Sequence, residues 1–356
     1  MRNVTTTALA LFPALVLALA LAVAPLRAVA QEPAAPKVAV VTTLGVLADI
    51  AREVGGERVV VEALADPRQD PHYVQPRPTL MRKAHDADLF VELGLQLELW
   101  AGKVIEGSGN PGIQSGQPGR VVASAGISTL ELPRELSREW GDVHPFGNPH
   151  VWLDPLNVKD MAANVAAGLA RVDARHKDEY EERLKAFQQR LDEALFGEAL
   201  VQEVGGKMLA RQARRGRLVE WLESKGLADR LGGWLARAAP LAGRPIVTYH
   251  KSWIYFAERF GLETAIEIEE KPGISPSARH RDAVVETIRQ RGVKTILQEV
   301  FYDRGAGDYL AEETGARLVI VPLDVGSEGS AQSYFELIDG LLDELLASEA
   351  TAERGR

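Results

Sequence analysis

Short apolar runs alternate along the chain with stretches whose apolar residues return every third or fourth position. The runs are the length of buried strands and the stretches have the period of amphipathic helices. Lys37–Thr42 reads as a strand and Leu44–Val54 as a helix that Gly55-Gly56 ends. Arg58–Leu64, Asp88–Leu93 and Arg120–Ala123 continue as strands, with helices predicted over Thr79–Ala87 and Gln96–Glu106 between them. Asp66–Pro78 is a proline-rich loop, Gly107–Gly119 a Gly/Ser/Pro loop, and Ile127–Gly147 is irregular and polar. Strands alternating with helices at this spacing specify an α/β unit with a mainly parallel sheet.

From Leu156 the strands stop. Val158–Arg171 and Ala174–Phe196 carry helical periodicity, and the second is long and charged, with Tyr180, Leu184, Phe187, Leu191 and Leu195 on one stripe. Its length suits a strut between two lobes. Gly197–Pro240 stays helical with glycine breaks, and its arginines 211, 214, 215 and 217 read as a solvated face. A second α/β unit follows. Its strands are Pro245–Thr248, Glu263–Ile268, Thr295–Glu299 and Ala316–Val321; its helices are Ser252–Phe260, Ala278–Arg291, Gly307–Thr314 and Ser330–Leu346. The halves repeat an order of elements without a clear repeat of sequence. The expected fold is therefore α/β, with two lobes, each a mainly parallel four-stranded sheet flanked by helices, joined by a single long helix.

Composition narrows the function. The 356 residues suffice for two ordinary domains and a large core. A formal net charge of −9 argues against nucleic acid as the partner. Arg2, the apolar run Ala8–Ala24 broken by Pro13, and Ala28-Val29-Ala30 form the pattern of a secretory signal peptide over residues 1–30. The chain has no cysteine, which excludes disulfides, thiolate chemistry, cysteine-ligated metals and a lipid anchor on a cysteine. Any metal site must draw on histidine, carboxylate or backbone oxygen.

Candidate ligands follow from position. His72 comes after the second strand, His150 after the fourth, and His250 ends the first strand of the second half. Asp324 follows the last strand, in Val321-Pro322-Leu323-Asp324. Ligands of open α/β sheets bind beyond the carboxyl ends of the strands. Two such sheets facing each other would gather His72, His150, His250 and Asp324 in one cleft. Three imidazoles and a carboxylate suit zinc; manganese would favour more carboxylate. Four protein ligands leave no open position, which favours binding over hydrolysis. Asp154 reads as a helix cap or as a support for His150, and Glu267, Glu269 and Glu270 as a charged loop face. His85, His176 and His280 read as surface histidines, and His144 as a loop residue outside the ligand set.

These segments resemble the zinc/manganese solute-binding proteins of bacterial ABC importers. The likeness spans nearly all of the chain after the leader. It rests on Asp70-Pro71-His72; on Gly94-Leu95 with Glu98 and Trp100; on Asn148-Pro149-His150-Val151-Trp152-Leu153-Asp154-Pro155, the most specific; and on Thr248-Tyr249-His250 with Tyr255-Phe256 and Phe260-Gly261-Leu262. Asp324 falls where that family places its last, acidic ligand. The resemblance implies two lobes joined by one long helix, with metal held between them and delivered to a membrane permease. A histidine at 250 resembles the zinc-type site. Three features depart from the pattern: the stretch 107–148 contains only His144 in place of a His-rich loop, Lys251 follows the third histidine, and 197–243 is longer than usual.

The expected organisation is a leader at 1–30, an N-terminal metal-binding lobe at 31–155, a linking helix and helical insertion at 156–243, and a C-terminal metal-binding lobe at 244–356. The expected function is a monomeric periplasmic receptor, not an enzyme, that carries Zn2+ (Mn2+ second) to an ABC permease. A secreted metal-dependent adhesin or metal buffer is the alternative. A zinc hydrolase fits less well, since no His-Glu-x-x-His motif is present.

Overall fold

A computed structural model describes residues 37–133, 144–326 and 331–354. The leader and the tether after it fall outside the described residues.

The N-terminal lobe runs β1 (Val38–Thr42), α1 (Gly45–Gly55), β2 (Val59–Ala63), α2 (Pro78–His85), β3 (Leu89–Glu92), α3 (Leu99–Ser108) and β4 (Arg120–Val122). Between the sheets come α4 (Pro155–Val172), α5 (Lys177–Phe196), α6 (Glu198–Val204), α7 (Gly206–Arg214), α8 (Leu218–Lys225) and α9 (Gly233–Ala238). The C-terminal lobe is β5 (Pro245–Thr248), α10 (Ile254–Phe260), β6 (Glu263–Glu267), α11 (Ala278–Arg291), β7 (Thr295–Glu299), α12 (Gly305–Thr314), β8 (Arg317–Val321) and α13 (Tyr334–Arg354).

Both sheets are parallel and four-stranded, ordered β2-β1-β3-β4 and β6-β5-β7-β8. The two orders are the same permutation, so the repeat that the sequence hides is present in the topology. β3 and β7 are buried along their whole length; β3 reads as an apolar run up to Glu92, while β7 buries Thr295, Gln298 and Glu299 beside Ile296 and Leu297. Each sheet changes winding direction beside its first strand, and that is where loops at the carboxyl edge part to leave a crevice.

The connection between the sheets begins as a hairpin. The short turn Ala174–His176 separates α4 from α5, and the two helices pack side by side. α5 has 20 residues, or about 30 Å at 1.5 Å per residue, and it also packs on α1 and α9. Gly197 ends it with φ 88°, and a Cβ there would come within 2.8 Å of the Gly232 Cα. That close crossing of two backbones starts the run of short helices α6–α9.

The lobes are tied together by buried groups. Trp152 is fully buried and donates from Nε1 to the Leu323 carbonyl at 2.9 Å; Tyr334 Oη donates to the Trp152 carbonyl at 2.9 Å. Arg259 on α10 grips Asp154 through two hydrogen bonds of 2.8 and 2.7 Å, while Asp154 caps α4 by accepting from Leu156 N at 2.9 Å. Asp49 on α1 accepts from Tyr334 N, the first residue of α13, at 2.8 Å. Among the described residues no helix is long and apolar enough to cross a membrane.

Candidate metal centre

Asp70-Pro71-His72 forms the entry to a single 3-10 turn, Pro71–Tyr73. Pro71 fixes φ and the Asp70 side chain folds back over it. One Asp70 oxygen accepts from His72 N at 2.9 Å and sits 2.7 Å from His72 Nδ1. Burial raises the Asp70 carboxyl, but its bonds and attraction to His72 outweigh that and leave it below the usual carboxylate range. Trp100 Nε1 donates to the Pro71 carbonyl at 2.8 Å. The Glu98 carboxylate is buried and accepts from Thr43 Oγ1 at 2.8 Å and from the amides of Leu93 and Gly94. That anchors a loop in which Leu95 and Gln96 have φ of 57° and 62°. Two left-handed residues in succession explain why α3 starts at Leu99 and not at the predicted Gln96.

Asn148-Pro149-His150 repeats the device. Asn148 Oδ1 accepts from His150 N at 3.0 Å and lies 3.0 Å from His150 Nδ1. The orientation of the amide is set elsewhere: its Nδ2 donates to the Lys251 carbonyl at 2.6 Å and to Glu131 at 2.9 Å. The oxygen must therefore face His150, and the proton of His150 must sit on Nδ1. His150 Nε2 is buried and has no hydrogen-bond partner. Burial first, then the neighbouring imidazoles of His72, His250 and His144, push the His150 pKa well down.

His250 follows β5 directly and is held differently. Its Nδ1 lies 2.7 Å from Glu269 Oε2, at the end of the next strand over, with both side chains buried. In all three histidines Nδ1 is engaged by an acceptor, which leaves the Nε2 lone pair facing inward. Ligand atoms of His72, His150 and His250 lie within 4.8 Å of one another. Their ring centroids form a near-equilateral triangle of 5.4, 5.4 and 5.5 Å. A tetrahedral zinc with bonds of about 2.0–2.1 Å needs its nitrogens roughly 3.3 Å apart, so the three must draw together by up to about 1.5 Å to close on it. Tyr302, stacked on Tyr249 at 4.1 Å, reaches Asp70 from the opposite lobe at 3.4 Å. Glu299 is wholly buried at the end of β7; burial pushes its carboxyl up to about 7, with His250 holding it back.

Asp324 is not among the side chains of that group. Its oxygens accept from Gly45 N at 2.8 Å, Val46 N at 2.6 Å and Val325 N at 2.9 Å. It caps α1 of the other lobe, whose first amides would otherwise lack acceptors. The fit depends on Gly45, where a Cβ would lie 2.0 Å from the Val325 carbonyl oxygen. Burial pushes Asp324 up to about 6, against the pull of its three amides.

His144, set aside on sequence, instead lies with Nε2 3.2 Å from His72 Nε2. Glu269, read as part of a charged loop face, is the support of His250. A signal for it existed: it too follows a strand end, beside the strand of His250. Asp154 is a cap and not a support for His150. Lys251 does not oppose a cation at the cluster; its ammonium lies 3.8 Å from Glu131. His85, His176 and His280 bond to Ser108 O, Asp173 and Glu267 O, away from the cluster.

The family profile described as "ZnuA: Zinc-uptake complex component A periplasmic" matches residues 40–195 and 228–348. The chain belongs to this family. Its members are metal-binding substrate receptors of ABC importers. The iron-binding protein YfeA of Yersinia pestis is 27% identical over 316 residues, covering 87% of this chain and 85% of YfeA. The manganese ABC transporter substrate-binding lipoprotein PsaA of Streptococcus pneumoniae is 24% identical over 344 residues, covering 95% and 96%. A crystal structure of ZnuA superposes with a TM-score of 0.65 at 22% identity, over 87% of this chain and 98% of that one. The profile skips residues 196–227, which overlap the first part of the long stretch 197–243.

Proposed function

We propose that this protein captures one divalent transition metal, zinc ahead of manganese, between its lobes and delivers it to the permease of an ABC importer. The observation that carries the reading is the shared orientation of His72, His150 and His250, each with Nδ1 held by an acceptor, so that Nε2 is the nitrogen left to ligate an ion. Three imidazoles are borderline-soft donors and favour zinc over manganese. His144, with Nε2 3.2 Å from His72 Nε2, is the candidate fourth donor. Asp324, the acidic ligand expected from the family pattern, would reach an ion only by exchanging an amide of α1 for it. In this reading 31–155 and 244–356 grip the metal, 156–243 holds the two together, and the protein works as a monomeric receptor without catalysis. The leader pattern sends it to the periplasm, and the absence of cysteine leaves it without the lipid anchor of relatives named lipoproteins.

Calorimetric titration of protein isolated from the periplasm and stripped with chelator tests this. One zinc per chain, bound more tightly than manganese, is expected. Manganese bound more tightly than zinc would overturn the choice of metal, and no stoichiometric binding of either would overturn the receptor reading.

A further inference from the structure

The stretch the family profile skips contains a surface with its own chemistry. Residues 205–217 carry Lys207, Arg211, Arg214, Arg215 and Arg217 and no acid, on a chain whose formal net charge is −9. The first three lie on α7 and Arg215 caps its end. At 100° per residue, positions 207, 211, 214 and 215 fall within about 100° of arc, on one face of the helix. The opposite face, Leu209, Ala210, Gln212 and Ala213, is buried against the protein. All five cations are exposed. Arg214 is tied to Asp160 and to the Leu156 carbonyl. Among the described residues Lys207, Arg211, Arg215 and Arg217 have no carboxylate partner.

Helix packing alone does not call for this arrangement. The buried face seats α7 whatever stands outside, and an outer face of mixed charge would serve solubility better. The cations stand in a row along the helix, so a single small anion reaches few of them. An extended anionic surface gains from all of them at once. Val219, 58% exposed, and half-buried Trp221 follow Arg217 in sequence with Glu220 between them, and apolar and aromatic groups beside cations suit the headgroup level of a bilayer. Glu220 and Glu223 follow on α8, yet residues 205–225 stay net basic, with six cations against two carboxylates.

We propose that the cationic face of α7, with Arg217 and Val219, is a docking surface for anionic phospholipid headgroups. It would hold a receptor that has no cysteine for a lipid anchor close to the bilayer in which a permease resides. The permease is part of the functional reading above; binding to lipid is not, and the two fail separately.

Co-sedimentation of protein purified from the periplasm decides the matter, using vesicles of phosphatidylcholine alone and of phosphatidylcholine with phosphatidylglycerol at about 7:3. At about 50 mM salt the anionic vesicles should retain roughly tenfold more protein than the neutral ones, and about 500 mM salt should erase the difference. The quadruple variant K207Q/R211Q/R215Q/R217Q, which leaves the Arg214–Asp160 pair in place, should lose that preference while binding zinc as the parent does. Equal retention on both vesicles overturns the proposal, as does a preference that survives in the variant. Charge-dependent binding to an ABC permease in neutral detergent, without any preference for anionic vesicles, would give the face to an acidic protein surface and likewise overturn it.

Discussion

The two lobes hold their histidines by different means. In the N-terminal lobe the support is local: Asp70-Pro71-His72 and Asn148-Pro149-His150 each place an oxygen two residues upstream against both the backbone amide and Nδ1 of the histidine. In the C-terminal lobe the support is remote, since Glu269 reaches His250 from nineteen residues away across two neighbouring strands. Local support is set within a proline turn and needs no pairing of strands. Remote support exists only once β6 has paired with β5. The first kind is written in three consecutive letters and the second in the fold.

Removal of a ligand gives the largest effect and fixes the scale. His150→Ala, measured by competition against a zinc chelator, should weaken zinc binding by more than the roughly 10–100-fold that follows loss of a supporting partner. Glu269→Ala should fall inside that range, because His250 then loses what sets its tautomer. Asp70→Asn converts one local support into the chemistry of the other, and should cost only a few-fold since the amide oxygen still accepts from Nδ1. If Asp70→Asn costs as much as Glu269→Ala, the distinction between local and remote support is wrong. Asp324→Ala sharpens the contrast from the side of stability. It leaves buried amides of α1 without an acceptor and should lower unfolding free energy by about 1–3 kcal/mol in denaturant titration, with a smaller effect on zinc than Glu269→Ala.

The smallest effect is a pH dependence in the metal-free protein. His150 has its pKa lowered by burial, so the folded state holds it neutral while the unfolded chain protonates it near 6.5. That contribution is fully present above about 6.5 and is lost as pH falls below it, because the unfolded state then binds the extra proton. His150→Gln should flatten this part of the stability profile in urea titrations at stepped pH.

Much of the architecture was legible because short apolar runs such as Val38–Val41, Leu89–Val91 and Leu318–Val321 mark parallel strands. All eight strands lie within a residue of their expected limits. Helix starts were less legible where backbone and not side chain decides, as at left-handed Leu95 and Gln96 before α3. The three histidines were legible because strand ends in a parallel sheet are sites by topology. His144 carried no such mark, being placed by a loop that ends against the other lobe. Asp324 was correctly assigned to the end of β8, but the direction of its oxygens depends on α1, nearly 280 positions earlier. Whether a carboxylate caps or ligates is decided by the amides that happen to face it.

Asn148 belongs to both kinds of contact at once. Its oxygen fixes the proton of His150, and its nitrogen spends both hydrogens outside the cluster, one on the carbonyl of Lys251 across the lobe boundary. The amide cannot turn over while that boundary is intact. Separation of the lobes would therefore remove one of the two contacts that fix the proton of His150 and leave Glu131 to hold the amide alone.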